Sequence, residues 1–392
     1  MTDEKSRSDN SASACESALN DMNEGFIPIS RPSIGERETE LVLDAVRSGW
    51  VSSIGEYVDR LEHDFAKFCG VKHAIAVSNG TTGLHLALAV LGIGPGDEVI
   101  VPDLTFVATA NAVAYVGATP VLADIDPDSL CIDPASVERK VTARTRAILP
   151  VHLYGHPSDM DELTRIAAKS NLRIVEDAAE AHGAEYKSKR VGGLSDCAVF
   201  SFYGNKIVTT GEGGVLTTNN GEIAARARHL RDHAMSKERR YWHDQLGFNF
   251  RMTNLQAALG VAQMERIDEF ISKRAQVMDW YATLLDLDEG VRLNREKNWA
   301  KSVNWMACLE VNWFDESRRE IFMSALKQKG IDTRPYFCTI SSMPMYAQDP
   351  QPVAQRKARI GLNLPCFSEL THSDVSRIAR EVNQALRESR PR

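Results

Sequence analysis

The sequence predicts an α/β protein in which a mixed, mostly parallel sheet lies between helices and is followed by a small C-terminal α+β domain. Short apolar runs alternate with helical patterns from about residue 27 to residue 220, and long helical patterns with few strands follow residue 254. Regular alternation of strands and helices is typical of a sheet that is covered by helices on both faces.

The first part of the chain supplies the strands of this sheet. Seven short apolar runs are predicted to be strands, at residues 74–77, 98–101, 121–124, 147–151, 173–175, 198–201 and 215–217. Helical periodicity lies between them at residues 83–91 and 106–116. Ser158 and Asp161 form a capping-box pattern, which predicts the start of a helix that continues to Lys169.

The later part of the chain is predicted to form a linking helix and the small domain. A helical pattern over residues 255–285 predicts one long helix between the two domains. We then expect a strand at residues 303–311 and helices at residues 318–329 and 373–388. The predicted organisation is a disordered polar tail over residues 1–25, a large domain over 26–270 and a small domain over 271–392.

The composition is that of an ordinary globular protein, and we expect its partner to be a small molecule. Of its 392 residues 43% are hydrophobic and 25% are charged, and the net charge of -7 opposes nucleic-acid binding, which needs a broad basic surface. The cysteines are scattered without a CxxC pair, so we expect reduced thiols and no metal site. Without an apolar leader or a run long enough to span a bilayer, the sequence predicts no membrane contact and a cytoplasmic location.

Residues 200–217, with the sequence FSFYGNKIVTTGEGGVLT, place a lysine among small and polar residues directly after a predicted strand. Ser201 precedes Lys206 and three glycines follow it, so backbone and hydroxyl groups can approach its amine. A lysine that forms a Schiff base with a carbonyl needs partial burial to lower its pKa toward neutrality. Taken alone, the tract could equally be a glycine turn beside a solvated lysine.

Further polar segments fall at predicted strand ends, where ligands bind in open α/β sheets. The segment SNGTTG at residues 78–83 opens a helix whose free amides could hold a phosphate, Phe106 could stack on a flat ring, and Asp177 could keep a pyridine nitrogen protonated. Each could alone be structural, as a plain turn, a core side chain or a helix cap. Together with Lys206 they supply the groups that pyridoxal 5'-phosphate requires.

Six segments follow one another in a recognisable order: SNGTTGLHLAL, PDLTFVATANAV, PVHLYGHP, VEDAAEAHGA, SFYGNKIVTTGEGG and GFNFRMTNLQAALG. On these segments the chain resembles the DegT/DnrJ/EryC1/StrS family of sugar aminotransferases, a branch of the fold type I pyridoxal phosphate enzymes, from about residue 27 to residue 390. The resemblance implies that Lys206 forms the Schiff base with the cofactor, Asp177 pairs with the ring nitrogen and Phe106 stacks on the ring.

The resemblance also implies the remaining contacts of the cofactor. Glu180, at a position where family members often carry Gln, is expected near the phenolic oxygen. The phosphate is expected to be held by Gly80, Thr81 and Ser201, and by Asn249 from the partner subunit of a homodimer with shared active sites.

The pairing of SFYGNK with TTGEGG, followed by RYWHDQLGFNFRMTN and DTRPYF, most resembles the branch of the family that aminates C4 of GDP-4-keto-6-deoxy-D-mannose. The resemblance implies L-glutamate as amino donor, GDP-perosamine as product, and a surface polysaccharide such as an O-antigen as its destination. A diphosphate needs cationic donors and a base favours aromatic faces, so the candidate nucleotide-sugar ligands are Arg240, Trp242, His243, Arg334 and Tyr336. Packing roles are equally open for these five residues.

Other functions stay open at this level. The motifs separate GDP-linked substrates poorly from UDP- or dTDP-linked 4-keto sugars, because a pyranose is recognised by shape and hydroxyl contacts. The dehydratase branch of the family carries His at the position of Lys206, and a non-catalytic cofactor-binding regulator usually adds a DNA-binding domain. A nicotinamide dehydrogenase would explain the alternation of strands and helices but would leave Lys206 and the missing glycine fingerprint unexplained.

Overall fold

The computed structural model describes residues 25–391, so the predicted tail lies outside the described residues except for Gly25. In chain order the strands are β1 (His73–Val77), β2 (Glu98–Pro102), β3 (Thr119–Ala123), β4 (Thr145–Ile148), β5 (Arg173–Asp177), β6 (Glu185–Tyr186), β7 (Lys189–Arg190), β8 (Cys197–Ser201), β9 (Gly214–Thr218), β10 (Val291–Arg292), β11 (Ala300–Lys301), β12 (Ala307–Val311), β13 (Arg334–Pro335) and β14 (Gly361–Leu364). All seven strands predicted for the first part are present.

The largest sheet of this part of the chain has seven strands in the order β1-β9-β8-β5-β4-β2-β3. Neighbouring strands are parallel except for β9, which is antiparallel to both β1 and β8. The prediction of a mixed, mostly parallel sheet is therefore confirmed. The carboxyl ends of β2, β5 and β8 meet at one edge, which is where open α/β sheets bind ligands.

Helices cover both faces of this sheet. The helices are α1 (Glu36–Ser48), α2 (Glu56–Cys69), α3 (Gly80–Val90), α4 (Ala108–Tyr115), α5 (Pro134–Lys140), α6 (Met160–Ser170), α7 (Gly221–Arg231), α8 (Asn254–Met264), α9 (Ile267–Leu284), α10 (Glu316–Gln328), α11 (Pro352–Ile360) and α12 (His372–Ser389). Successive residues of β8 enter different hydrophobic clusters: Phe200 packs in the cluster with α2 and α8, whereas Val199 packs in the cluster with α3 and α7. Burial on both faces explains the nearly continuous apolar strands.

The later part of the chain forms a second, antiparallel sheet in the order β10-β12-β14-β13. Its apolar side chains pack with those of α9, α10 and α12 in a separate cluster. A small ribbon, β11-β6-β7, pairs residues 300–301 with residues 185–186 and so ties this part to the first. The proposed domain limits at residues 25 and 270 stay a prediction.

The predicted capping box of α6 is wrong by one position. The helix is capped by Asp159, whose side chain accepts from the Glu162 amide. Ser158 makes tertiary contacts instead. Its hydroxyl donates to the Val151 carbonyl at 3.0 Å, and its amide donates to Nδ1 of His152 at 3.0 Å. A neighbouring acid with the same capping chemistry takes its place.

The predicted helix over residues 255–285 is in fact two helices, α8 and α9, separated at Glu265 and Arg266. Both residues at the break form ion pairs with the helices that pack on α8: Glu265 accepts from Arg37 and Arg60, and Arg266 pairs with Glu38. The chain changes direction here because α8 packs against α1 and α2, whereas α9 packs in the cluster around the second sheet.

The predicted strand over residues 303–311 is shorter than expected, because β12 begins at Ala307. Asn304 has a left-handed backbone with φ of 48°, which ends any extended run before the strand. The irregular segment places Trp305 in the wall of the cavity described below. Among residues 25–391, no helix is both long and apolar enough to cross a membrane.

Candidate active site

A cavity of about 600 Å³ opens at the carboxyl edge of the seven-stranded sheet. Side chains from the ends of β2, β5 and β8 and from the start of α3 line it. The lining residues on which the following argument depends are Gly80, Thr81, Phe106, Asp177, Glu180, Ser201, Asn205, Lys206, Trp305 and Phe337. Seven of the eight residues that the sequence assigned to the cofactor are therefore brought together in one cavity.

Lys206 lies in the turn that follows β8, where its amide donates to the Tyr203 carbonyl at 2.9 Å. Its Nζ lies 3.4 Å from Oε1 of Glu180 and 3.8 Å from the centroid of the Trp305 ring. Burial lowers the pKa of the Lys206 amine, and the carboxylates of Glu180 and Asp177 oppose that change. The amine is therefore closer to its neutral, nucleophilic form than an exposed lysine.

Asp177 is the last residue of β5, and its carboxylate points into the same cavity. Oδ2 accepts from the Thr109 hydroxyl at 2.8 Å, and Oδ1 accepts from the Ala179 amide at 3.2 Å. Burial raises the pKa of Asp177, and these two hydrogen bonds oppose the rise. A buried carboxylate of this kind is well suited to a cationic nitrogen on a ligand, which would replace the lost hydration.

Glu180 connects the lysine to the main chain of a neighbouring segment. Its Oε2 accepts from the Tyr154 amide at 2.8 Å, while Oε1 faces Nζ of Lys206. Burial raises the pKa of Glu180, and the nearby Lys206 charge and the Tyr154 amide oppose the rise. The carboxylate is held in place by the backbone and can receive or release a proton at the lysine.

The start of α3 forms an anion cradle beside these groups. Asn79 caps the helix by accepting from the Thr82 amide at 2.9 Å. The first amides of any helix have no helical acceptor, so those of Gly80 and Thr81 are available to a ligand at the positive end of the helix dipole. A Cβ at Gly80 would lie 3.0 Å from Cβ of Ser201, so glycine at this position lets the Ser201 hydroxyl approach the same cradle.

The buried support below β5 involves a second carboxylate, Glu176. It accepts from Nε2 of His152 at 3.0 Å, from the Gly192 and Leu194 amides at 2.9 and 3.0 Å, and from the Ser195 hydroxyl at 2.9 Å. Burial alone would raise the pKa of Glu176, but these hydrogen bonds lower it. The network holds Glu176 in place, and Asp177 is the next residue of the same strand.

The other predicted ligands lie away from the cavity wall. Arg240, Trp242 and His243 belong to an exposed segment, in which His243 Nδ1 lies 2.8 Å from the His233 carbonyl. Asn249 is exposed, and its side-chain oxygen accepts from the Arg251 guanidinium at 2.8 Å. Arg334 is exposed and forms an ion pair with Asp332 at 2.6 Å.

Tyr336 is 2% exposed, and its ring lies 5.2 Å from that of Tyr154 within the hydrophobic core. The structure thus places it among core side chains rather than in the lining of the cavity. Its neighbour Phe337 faces the cavity instead, with its ring 5.7 Å from that of Phe106.

Several residues of the site were missed by sequence reasoning. Thr109, Tyr154, Trp305 and Phe337 contact or support the predicted groups from other parts of the chain. Thr109 lies three positions after Phe106, and in the helical pattern predicted over residues 106–116 this spacing faces one side, which could have indicated Thr109. Trp305 carries no local signal, because only the tertiary fold brings it to Lys206.

Comparisons with known proteins identify the family of this chain. The model of the DegT/DnrJ/EryC1/StrS aminotransferase family matches residues 32–383. The chain is 46% identical over 364 residues to GDP-perosamine synthase of Caulobacter vibrioides, and the match covers 92% of this chain and 98% of that one. It is 41% identical over 361 residues to GDP-perosamine synthase of Escherichia coli O157:H7, again covering 92% of this chain and 98% of that one. A putative sugar aminotransferase of Streptococcus pneumoniae, solved in its PMP form, superposes with a TM-score of 0.89 at 27% identity, covering 93% of this chain and 98% of that one. The protein belongs to the DegT/DnrJ/EryC1/StrS aminotransferase family.

Proposed function

We propose that this protein is a pyridoxal 5'-phosphate-dependent aminotransferase that converts GDP-4-keto-6-deoxy-D-mannose to GDP-perosamine with L-glutamate as amino donor. The observation that carries the proposal is the largely buried Lys206 amine in one cavity with Asp177 and Glu180, in a chain 46% identical to a GDP-perosamine synthase over nearly its whole length. The family places the protein among aminotransferases, and the relatives support the particular sugar.

The cavity fits the cofactor by its chemistry. Asp177 would face the ring nitrogen, Phe106 would cover the ring, and the start of α3 with Ser201 would hold the phosphate. Phe106 is 54% exposed although it lines the cavity, so its face is available to a flat ligand. When bound, pyridoxal phosphate supplies an aldehyde that accepts amino groups and a ring that accepts electrons.

The residues of this chain then supply positioning and proton transfer. Lys206 would be the nucleophile that holds the cofactor, and its Nζ would act as the base and acid that moves a proton. Its lowered pKa favours this role, because a neutral amine can take up a proton at moderate pH. Asp177 would keep the ring nitrogen of the bound cofactor charged, and Glu180 would orient Nζ through the 3.4 Å contact.

A second copy of the chain completes the site in this proposal. Leu43, Val46, Trp50 and Ile54 form an exposed apolar strip at the end of α1 and in the loop after it, and Trp50 and Ile54 are 57% and 66% exposed. Such a strip fits an interface between subunits better than solvent. Asn249 and the segment with Arg240, Trp242 and His243 would reach the partner's cavity, and light scattering that gives a monomer mass would contradict this arrangement.

The nucleotide would be bound by the cationic and aromatic groups of that segment together with Arg334, because a diphosphate requires charged donors. We also infer a cytoplasmic location. The six cysteines of residues 25–391 are free and mostly buried, which suits a reducing compartment. A nucleotide-linked amino sugar is a donor for surface polysaccharides, so an O-antigen-type polymer is the proposed destination.

The decisive experiment offers the purified protein pyridoxal phosphate, L-glutamate and a panel of GDP-, UDP- and dTDP-linked 4-keto sugars. Mass spectrometry should detect the amino sugar and 2-oxoglutarate with the GDP-linked substrate derived from mannose. The variant K206A, treated identically, is the matched control and should form neither product. Preferred amination of a UDP- or dTDP-linked sugar would contradict the proposed substrate while leaving the reaction type intact.

A further inference from the structure

An aromatic residue of the cavity wall contacts the amine that the proposed function uses. The centroid of the Trp305 ring lies 3.8 Å from Nζ of Lys206, well inside the range of a cation–π interaction. The same Nζ lies 3.4 Å from Oε1 of Glu180. Nζ of Lys206 therefore has two close partners that attract its charged form, and one of them is an uncharged aromatic face.

The indole ring is fixed by contacts of its own. Its Nε1–H donates at 2.8 Å to the carbonyl of Asn205, the residue directly before Lys206. The Trp305 amide donates to the Tyr154 carbonyl at 3.1 Å, and its carbonyl accepts from the buried Arg274 guanidinium at 2.9 Å. The side chain is 4% exposed, and moving it away would leave the indole N–H and the Asn205 carbonyl unpaired, so its face stays beside the lysine loop.

Few other charged groups face the amine. Glu180 and Asp177 favour the ammonium form, whereas burial is the largest influence on Lys206 and favours the neutral amine. His182 is also close in the core, but burial lowers the pKa of its imidazole to about 3, so it is neutral. The guanidinium of Arg274 donates to the carbonyls of Trp305 and Cys366. The aromatic face therefore acts together with the two carboxylates.

We propose that Trp305 is a positioning residue for Lys206, whose indole face holds the ammonium form of the amine between two proton transfers at Nζ. The inference rests on the proposed function, in which Nζ takes up one proton and releases the same proton. A buried ammonium is costly unless it has a partner. An aromatic face is a partner that cannot accept the proton, so it stabilises the charge without competing for the proton.

The test measures how Lys206 titrates in the cofactor-free protein. Trace acetylation over neutral to alkaline pH, followed by peptide mass spectrometry, gives the pH at which Lys206 becomes reactive. In W305L we expect the labelling profile to move to lower pH, with the neutral fraction at a given pH raised about tenfold. In W305F, which keeps a weaker aromatic face, we expect a smaller shift in the same direction.

The matched control is F337L. Phe337 lines the same cavity, but the contacts of Nζ described above are made by Trp305 and Glu180. Its labelling profile should equal that of the parent protein. A W305L profile equal to that of the parent, or an equal shift in F337L, would overturn the inference. If W305L does not fold, as judged by circular dichroism, W305F decides, and a parent-like profile in W305F overturns the inference.

Turnover of the holoenzyme separates this inference from the proposed function. We expect W305L to lower kcat about tenfold with little change in KM for glutamate, because Nζ is affected more than substrate binding. If K206A is inactive while W305L keeps the parent's Lys206 labelling profile and kcat, the role of Trp305 is refuted and the proposed function stands. Full turnover by K206A would instead remove the proposed function, whatever the labelling profiles show.

Discussion

The hydroxyl of Thr109 offers the sharpest test of the role proposed for Asp177. Thr109 is buried on α4, and its Oγ1 donates to Oδ2 of Asp177 at 2.8 Å. Valine has almost the same shape but no hydroxyl, so T109V removes this hydrogen bond and keeps the packing of the helix. The variant perturbs Asp177 without replacing it.

The size of the effect follows from the charge on the acceptor. A hydrogen bond to a charged group contributes about 1.5–3 kcal/mol, which corresponds to about a ten- to 150-fold change in an equilibrium. Burial already raises the pKa of Asp177, and the bond from Thr109 opposes the rise. In T109V the pKa should rise further, so the carboxylate becomes protonated at a higher pH and is a poorer partner for a cationic ring nitrogen.

The sign of the stability effect follows from the same shift. Because the pKa of Asp177 is higher in the folded than in the unfolded chain, folding stability falls as pH rises through the interval between the two values. T109V should extend this interval to higher pH. The stability difference between T109V and the parent should therefore be smaller in acid than near neutral pH.

The assay is the pH profile of kcat, supported by urea unfolding at acidic and neutral pH. We expect T109V to turn over about tenfold more slowly at neutral pH and its acid limb to move to higher pH. T109S keeps the hydroxyl and serves as the control, with a profile close to that of the parent. Equal kcat and an unmoved acid limb in T109V would refute the assigned role of the hydrogen bond.

Two further substitutions test the supports of the site. In G214A the new Cβ would lie 2.7 Å from the carbonyl carbon of Asn79 and push back the start of α3. We therefore expect about tenfold weaker cofactor binding in an absorbance titration. The control is G204A, which has open space around the new Cβ and should bind the cofactor normally. In H152A the buried Glu176 loses one of its donors, and urea unfolding should show a loss of about 3 kcal/mol. The exposed His63 supplies its control, H63A, and equal unfolding midpoints for both variants would contradict the expectation.

The strands of the large sheet could be predicted because their apolar runs are buried on both faces and are separated by regular helical patterns. The sequence also predicted that Lys206, Asp177 and Phe106 lie at one edge of this sheet, because parallel strands end at the same edge. The break between α8 and α9 could not be predicted, because Glu265 and Arg266 are good helix residues whose ion pairs to α1 and α2 exist only after packing.

The sequence by itself determined the fold class, the cavity's lysine and carboxylates, and the resemblance to a sugar aminotransferase family, because these depend on local periodicity and short motifs. Only the tertiary structure decided which side chains surround the amine. Trp305 is 100 positions from Asn205 in sequence, yet its indole N–H binds the carbonyl of Asn205 and its face covers Nζ of Lys206. Contacts of this range arise when separate sheets pack together, and no local pattern in the chain encodes them.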